Sequence, residues 1–201
     1  KYTVIDGVLF NRNMTTLILY PSASTAKTYT IPNTVTALSG YAFSKARNLK
    51  QINIPNTVQE LGFDTFHGCT NLTEVIIPNG VTAIGRAVFD GCTSLKYVSI
   101  PNSVGTIGLC AFYGCESLSN LQIPDSVTTI GEYAFDGCTK VKSVTIGRSV
   151  TSIGRYAFRN CDLVTSLVIP DSVTYIGYAA FDWCDSLASV VVGKNVATVD
   201  T

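Results

Sequence analysis

The chain has 201 residues, of which 46% are apolar and only 14% charged, and its fourteen Lys and Arg balance its fourteen Asp and Glu. A net charge of zero argues against nucleic acids or acidic membrane surfaces as partners, since both require a basic face. No apolar run approaches the roughly 18 residues needed to cross a bilayer, so neither a nucleic-acid partner nor membrane insertion is expected.

Taken in chain order, residues 1–30 come first. The chain begins at Lys1, without Met, inside what reads as a strand. "VIDGVLFNRNMTTLILYP" reads as a β-hairpin, with Val8–Phe10 and Thr16–Tyr20 flanking a turn at Asn11-Arg12-Asn13. "PSASTAK" is a small-polar loop. This stretch stands outside the pattern that follows and is assigned as an N-terminal hairpin or irregular cap.

From Ile31 a single period governs the chain. Phe43, Phe66, Phe89, Phe112, Phe135, Phe158 and Phe181 recur at a step of 23 residues. The column from Ile31 to Val192, the column from Val35 to Val196 and the column from Leu38 to Val199 keep the same step, as does the series Leu49, Leu72, Leu95, Leu118, Val141, Val164 and Leu187. Such self-similarity marks a solenoid, in which each unit buries its apolar side against the next copy. Residues 31–201 therefore hold seven repeats and a partial eighth.

Within one unit, Ile52 and Ile54 alternate as in a strand with one buried face. Pro55 ends the ladder because it lacks an amide proton. "PNSV" and "PDSV" are turn chemistry. A second short extended piece, Val127–Ile130, closes at Gly131. That glycine lies in the column Gly62, Gly85, Gly108, Gly131, Gly154 and Gly177, which calls for either positive φ or tight packing. "EYAFDGC" then reads as one helical turn at most, ended by Gly137. The fold class is an α/β repeat solenoid with short strands and helical turns opposite its main parallel sheet. The last stretch, "VVVGKNVATVDT", stops within a unit without a polar capping repeat. Both termini lead to the expectation of a piece of a longer protein.

The seven cysteines raise the question of metal or disulfides. Cys69, Cys92, Cys115, Cys138, Cys161 and Cys184 share one column, and Cys110 lies elsewhere. A spacing of 23 is not a metal-ligand spacing. In a solenoid these sulfurs would stack about 5 Å apart. Disulfides between neighbours are conceivable by distance, but equivalent side chains point in parallel. The column reads as a buried ladder of free thiols acting as small hydrophobes.

His67, the one histidine, falls in a variable column with Ser44, Asp90, Tyr113, Asp136, Arg159 and Asp182 and is expected to be exposed. Carboxylates are scattered over turn columns, so no acid–base pair stands out. No catalytic residue, metal site or cofactor is assigned, and no enzyme is expected. Thr36, Thr82, Thr128, Thr151 and Thr174 form a ladder of the ice-binding kind, but Gln59 and Gly105 break it.

The unit L-x-x-V-x-I-P-x-S-V-T-x-I-G-x-x-A-F-x-G-C resembles the BspA-type leucine-rich repeat family, the 23-residue Treponema and Bacteroides class, over residues 31–199. The ladder Asn of better-known leucine-rich repeats is replaced by Thr34, Thr57, Gly80, Ser103, Ser126, Ser149 and Ser172, a hydroxyl ladder able to take over part of its backbone bonding. The resemblance implies a right-handed superhelix with a parallel sheet on its concave side. It also implies a secreted or cell-surface, non-catalytic, adhesin-like protein that binds host or microbial surface or matrix proteins; separately, the chain is expected to be a monomer in isolation.

If the Leu49, Ile52 and Ile54 columns point inward, the concave face is read by two rows. One runs Gln51, Glu74, Tyr97, Asn120, Ser143, Ser166 and Ser189; the other runs Asn53, Ile76, Ser99, Gln122, Thr145, Val168 and Val191. The candidate ligand-binding residues are Gln51, Asn53, Glu74, Ile76, Tyr97, Ser99, Asn120 and Gln122. Two alternatives stand beside recognition: an ordinary sheet surface, and a passive stalk displaying another domain. Tyr175, Tyr178 and Trp183 form a second aromatic group, suited to packing on a following repeat.

Overall fold

A computed structural model describes residues 1–201 as a parallel β-solenoid of about eight coils. Its first elements are β1 (Tyr2–Ile5), β2 (Val8–Asn11), β3 (Thr16–Leu19) and β4 (Thr28–Thr30). β1 and β2 form an antiparallel hairpin through Asp6 and Gly7, both at positive φ, as a tight two-residue turn requires. β2 then pairs antiparallel with β3. The Asn11 carboxamide oxygen ties their turn by accepting from the amides of Thr15 and Thr16 at 2.9 and 3.1 Å.

This cap is continuous with the repeats. β3 runs parallel to Ala37–Leu38, and β4 runs parallel to Gln51–Asn53 with Tyr29 opposite Ile52. Tyr20 stands one step before Phe43, and their rings stack at 5.0 Å. The 23-residue step thus reaches back across the 30/31 position.

Each later coil carries two short strands. One ladder joins Ala83–Ile84, Thr106–Ile107, Thr129–Ile130, Ser152–Ile153, Tyr175–Ile176 and Thr198–Val199 in parallel, while its earlier members, Ala37–Leu38 and Glu60–Leu61, pair in the sheet of β3. The other, on the side the sequence places as concave, is interrupted. β4, Gln51–Asn53, Glu74–Ile76 and Tyr97–Ser99 form one sheet, Asn120–Gln122 pairs only with Ser143–Thr145, and Ser166–Ile169 pairs with Ser189–Val192.

The expected helical turn is absent, which corrects the α/β assignment: the solenoid contains no helix. The reason lies in the backbone of "YAFDGC". Alternate amides bond within the coil, Ala134 to Gly131, Asp136 to Tyr133 and Cys138 to Phe135. The amides between them reach the next coil, from Tyr133 to Arg155, Phe135 to Ala157 and Gly137 to Arg159, at 2.8 to 2.9 Å. A helix would consume all of these groups internally. Positive φ at Tyr133 and Gly137 also lies outside helical geometry.

Between the ladders runs one continuous core. The phenylalanine rings from Phe43 to Phe181 stack with centroids 5.1 to 5.5 Å apart. Cys69, Cys92, Cys115, Cys138 and Cys161 lie beside them, buried and unbridged, whereas Cys184 and Cys110 are half-buried. Each thiol of the column, from Cys69 to Cys184, donates to the carbonyl of the phenylalanine 26 residues earlier, at 3.1 to 3.6 Å. Burial pushes the Cys69 thiol up to about 12 and raises the others as well. The hydroxyl ladder forms at Thr57, Ser103, Ser126 and Ser172, each donating to a valine carbonyl of the preceding coil at 2.6 to 2.8 Å.

The glycine column resolves to tight packing at Gly62, Gly108, Gly131, Gly154 and Gly177, with Gly85 the exception, and none of its members has positive φ. A Cβ on Gly131 would lie 2.6 Å from the Gly108 carbonyl carbon, and one on Gly154 would lie 2.6 Å from Gly131. Positive φ belongs instead to two other columns: Lys45, Gly68, Gly91, Gly114, Gly137, Asn160 and Trp183, and Tyr41, Asp64, Ala87, Cys110, Tyr133, Tyr156 and Ala179.

Candidate functional site

The interrupted sheet presents its outward side chains in two rows. Gln51, Glu74 and Tyr97 are in register across three strands, and Ile76 faces Ser99. Side chains alternate along each strand, so Ile52 and Val75 between them point into the core and are buried. Ile76 is 62% exposed and Tyr97 53% exposed, diagonal to each other on adjacent strands about 4.8 Å apart. Asn53 is held by its amide donating to the Thr30 hydroxyl at 3.1 Å. An open depression of about 320 Å³ is lined by Gln51, Ile52, Asn53, Ile54, Glu74 and Ile76.

The eight candidate residues are therefore divided. Gln51, Asn53, Glu74, Ile76 and Tyr97 form one exposed patch, and Ser99 at its margin is half-buried. Asn120 and Gln122 are exposed but sit on the next sheet, across the break. In the other row, Val168 and Val191 pair and are exposed at 61 and 62%.

Two groupings on the turn side escape sequence reasoning. In the first, Tyr133 and Tyr156 stack at 5.0 Å and Tyr178 meets Tyr156 edge-on at 5.5 Å. Arg159 lies 4.6 Å over the Tyr156 ring, and Arg155 bridges Tyr156 and Tyr178 at 5.0 and 5.2 Å. Arg159 also grips the buried Asp136 carboxylate through Nε and an Nη at 3.1 and 2.7 Å, and the Asn160 amide donates to its other oxygen at 2.9 Å. The periodic signal was present, since Tyr133 and Tyr156 are one step apart. Of the second aromatic group, Tyr178 joins this ladder, Tyr175 donates to Asp200 at 2.6 Å, and Trp183 is 69% exposed.

The second grouping overturns two expectations. His67 is not simply exposed: its Nδ1 lies 3.1 Å from an Asp90 oxygen, with side chains 34 and 24% exposed. The carboxylates do converge, because Asp64 joins this pair, with one ligand atom of each residue within 4.8 Å of the others. Asp64 is 7% exposed and its Oδ2 has no hydrogen-bond partner. Burial raises the Asp90 carboxyl above its ordinary range, against the opposing pull of His67. Sequence reading missed Asp64 because the helical reading of this segment hid the left-handed conformation, φ +53, that it shares with Ala87, Cys110 and Tyr133 of its column.

Comparison with known proteins places this geometry. A model of the BspA-type leucine-rich repeat region matches residues 20–115 and 105–201 in six copies. A leucine-rich repeat protein from Eubacterium ventriosum is 33% identical, with a TM-score of 0.81, over 90% of this chain and 49% of its own. A leucine-rich cell surface protein from Faecalibacterium prausnitzii is 30% identical, with a TM-score of 0.84, over 96% of this chain and 54% of its own. A leucine-rich repeat protein of T. pallidum is 25% identical, with a TM-score of 0.80, over 93% of this chain and 87% of its own. The chain thus spans about half the length of the first two. No curated protein matches it, and no enzyme family is indicated. No helix is long and apolar enough to cross a membrane.

Proposed function

The chain belongs to the BspA-type leucine-rich repeat family, and from that premise we propose that it is an adhesin-like, protein-binding module of a microbial cell-surface or secreted protein. The observation that carries this reading is the patch of Gln51, Asn53, Glu74, Ile76 and Tyr97. It exposes an aromatic and a β-branched side chain beside an open depression, on strands locked to a buried core. Tyrosine offers large contact area with a polar tip at low entropic cost, and a rigid sheet avoids ordering penalties on binding. The similar cell surface protein of Faecalibacterium prausnitzii supports the location. The partner class is a host or microbial surface or matrix protein. With no net charge, association depends weakly on salt.

A spacer role is the second reading, favoured by the unbroken Phe43–Phe181 stack, which makes a stiff rod whether or not its faces bind. The two separate when matrix and bacterial-surface proteins are passed over the immobilised chain, with Tyr97→Ala and Ile76→Ser as controls. Saturable binding weakened at least tenfold by either change supports the patch. Binding indifferent to both moves the site elsewhere, and no binding to any candidate leaves the spacer.

A further inference from the structure

We propose that Asp64, His67 and Asp90 form a site for a divalent first-row transition ion such as Zn²⁺, between the second and third coils. Chain distance hides it, since two of the ligands lie three residues apart on one turn and the third lies on the next coil. A tetrahedral ion with bonds of about 2.0–2.1 Å separates its ligand atoms by about 3.3 Å. The His67 Nδ1 to Asp90 Oδ2 distance of 3.1 Å already matches one such edge. All three ligand atoms lie within 4.8 Å of one another, so the edges to Asp64 have to shorten on binding.

A second, independent observation is the state of Asp64. It is more than nine-tenths buried, its Oδ2 touches neither solvent nor a donor, and a carboxylate oxygen of it lies within 4.8 Å of the His67 and Asp90 ligand atoms. A buried carboxylate without a partner is costly. Elsewhere the solenoid shows how it deals with such a group. Asp136, in the same column as His67 and Asp90 and 1% exposed, receives Arg159 from the next coil and Asn160 beside it. For Asp64 the equivalent position on the next coil is Ala87, whose methyl side chain carries no donor. Two carboxylates thus face one imidazole with no Lys or Arg paired to either. A divalent cation supplies the missing charge, and one nitrogen with two oxygens is a donor set suited to Zn²⁺ and its first-row neighbours rather than to Ca²⁺. The partial exposure of His67 and Asp90 gives the ion a route in and a position for water.

The test is calorimetric titration of the tag-free chain with Zn²⁺, followed by Co²⁺ spectroscopy. The expected result is one ion per chain, a raised melting temperature on binding, and visible Co²⁺ bands without thiolate-to-metal charge transfer. Asp64→Asn and His67→Ala should each weaken binding at least tenfold. Asp125→Asn, which alters an exposed carboxylate elsewhere, should leave it unchanged. The proposal is overturned by the absence of saturable binding at millimolar Zn²⁺, by affinity indifferent to both site variants, or by a thiolate band assigning the ion to cysteine. Asp64→Asn keeps a residue tolerant of positive φ, and its circular dichroism separates lost binding from lost fold.

Discussion

The rings of Phe112 and Phe135 lie 5.1 Å apart with their planes only 6° from parallel, and neither is accessible to solvent. Each ring fills the space between two others, so removing one opens a cavity that its stacked neighbours cannot collapse into. Phe135→Ala is expected to destabilise the fold by about 3–5 kcal/mol, read as a lowered denaturant midpoint. A loss below about 0.5 kcal/mol, typical of surface changes, would contradict the stack.

The glycine column makes a sharper prediction because its members differ. A Cβ at position 131 meets the Gly108 backbone at 2.6 Å, whereas one at position 85 meets nothing nearer than the Leu61 oxygen at 4.0 Å. Gly131→Ala is expected to cost about 1–3 kcal/mol, the range of forced overpacking. Gly85→Ala should stay within about 0.5 kcal/mol. Equal effects in thermal melts of the two variants would mean that the coils do not approach as described.

These cases also show what could be read from the sequence. The apolar columns were legible because burial repeats with the step: Phe, Val, Leu and Ile must recur wherever coils stack. The two outward rows around Tyr97 and Ile76 followed from strand alternation alone. The turn segment was not legible. Tyr133-Ala134-Phe135 carries no mark telling an intracoil hydrogen bond from an intercoil one, and only the alternation of both produces the left-handed residues. Asp64 was lost with that choice. The break between Ser99 and Asn120 was equally hidden, since strand composition continues across it while the pairing does not.

For the thiols, the five fully buried members of the column should resist modification in the native state. Cys110 and Cys184, being half-buried, should react first. All seven should titrate after unfolding without reductant, and a shortfall of six would reveal three disulfides. The pH dependence has a definite sign. Burial raises the folded-state values above the ordinary thiol value of 9.0, to about 12 for Cys69. A raised value contributes stability that is fully present below the unfolded value and lost as pH rises toward the folded one. Stability should therefore be insensitive to these groups at neutral pH and fall from about pH 9 upward. Cys69→Ala should blunt that fall, measured as melting temperature against pH.

Asp136 and Arg159 test the polar side of the turn ladder. Four carboxylate–cation or carboxylate–histidine pairs occur, but their settings differ. The Asp136 side chain is 1% exposed and doubly held by Arg159, whereas Arg148 and Asp125 are 89 and 63% exposed at 3.7 Å. Removing a cation from a buried carboxylate leaves its charge without compensation, while an exposed pair is screened by water. Arg159 is itself about a third exposed, and Asn160 keeps one hydrogen bond, so water and that amide recover part of the loss. Arg159→Met is expected to cost about 1–3 kcal/mol, with a further loss of cation–aromatic contact to Tyr156. Arg148→Met should cost at most about 1 kcal/mol. The double variant Arg159→Met with Asp136→Leu separates the causes. If the penalty comes from the stranded carboxylate, removing it restores stability in urea denaturation; if the double variant is no more stable than Arg159→Met, the stacking of Arg159 on the tyrosines is the larger contribution.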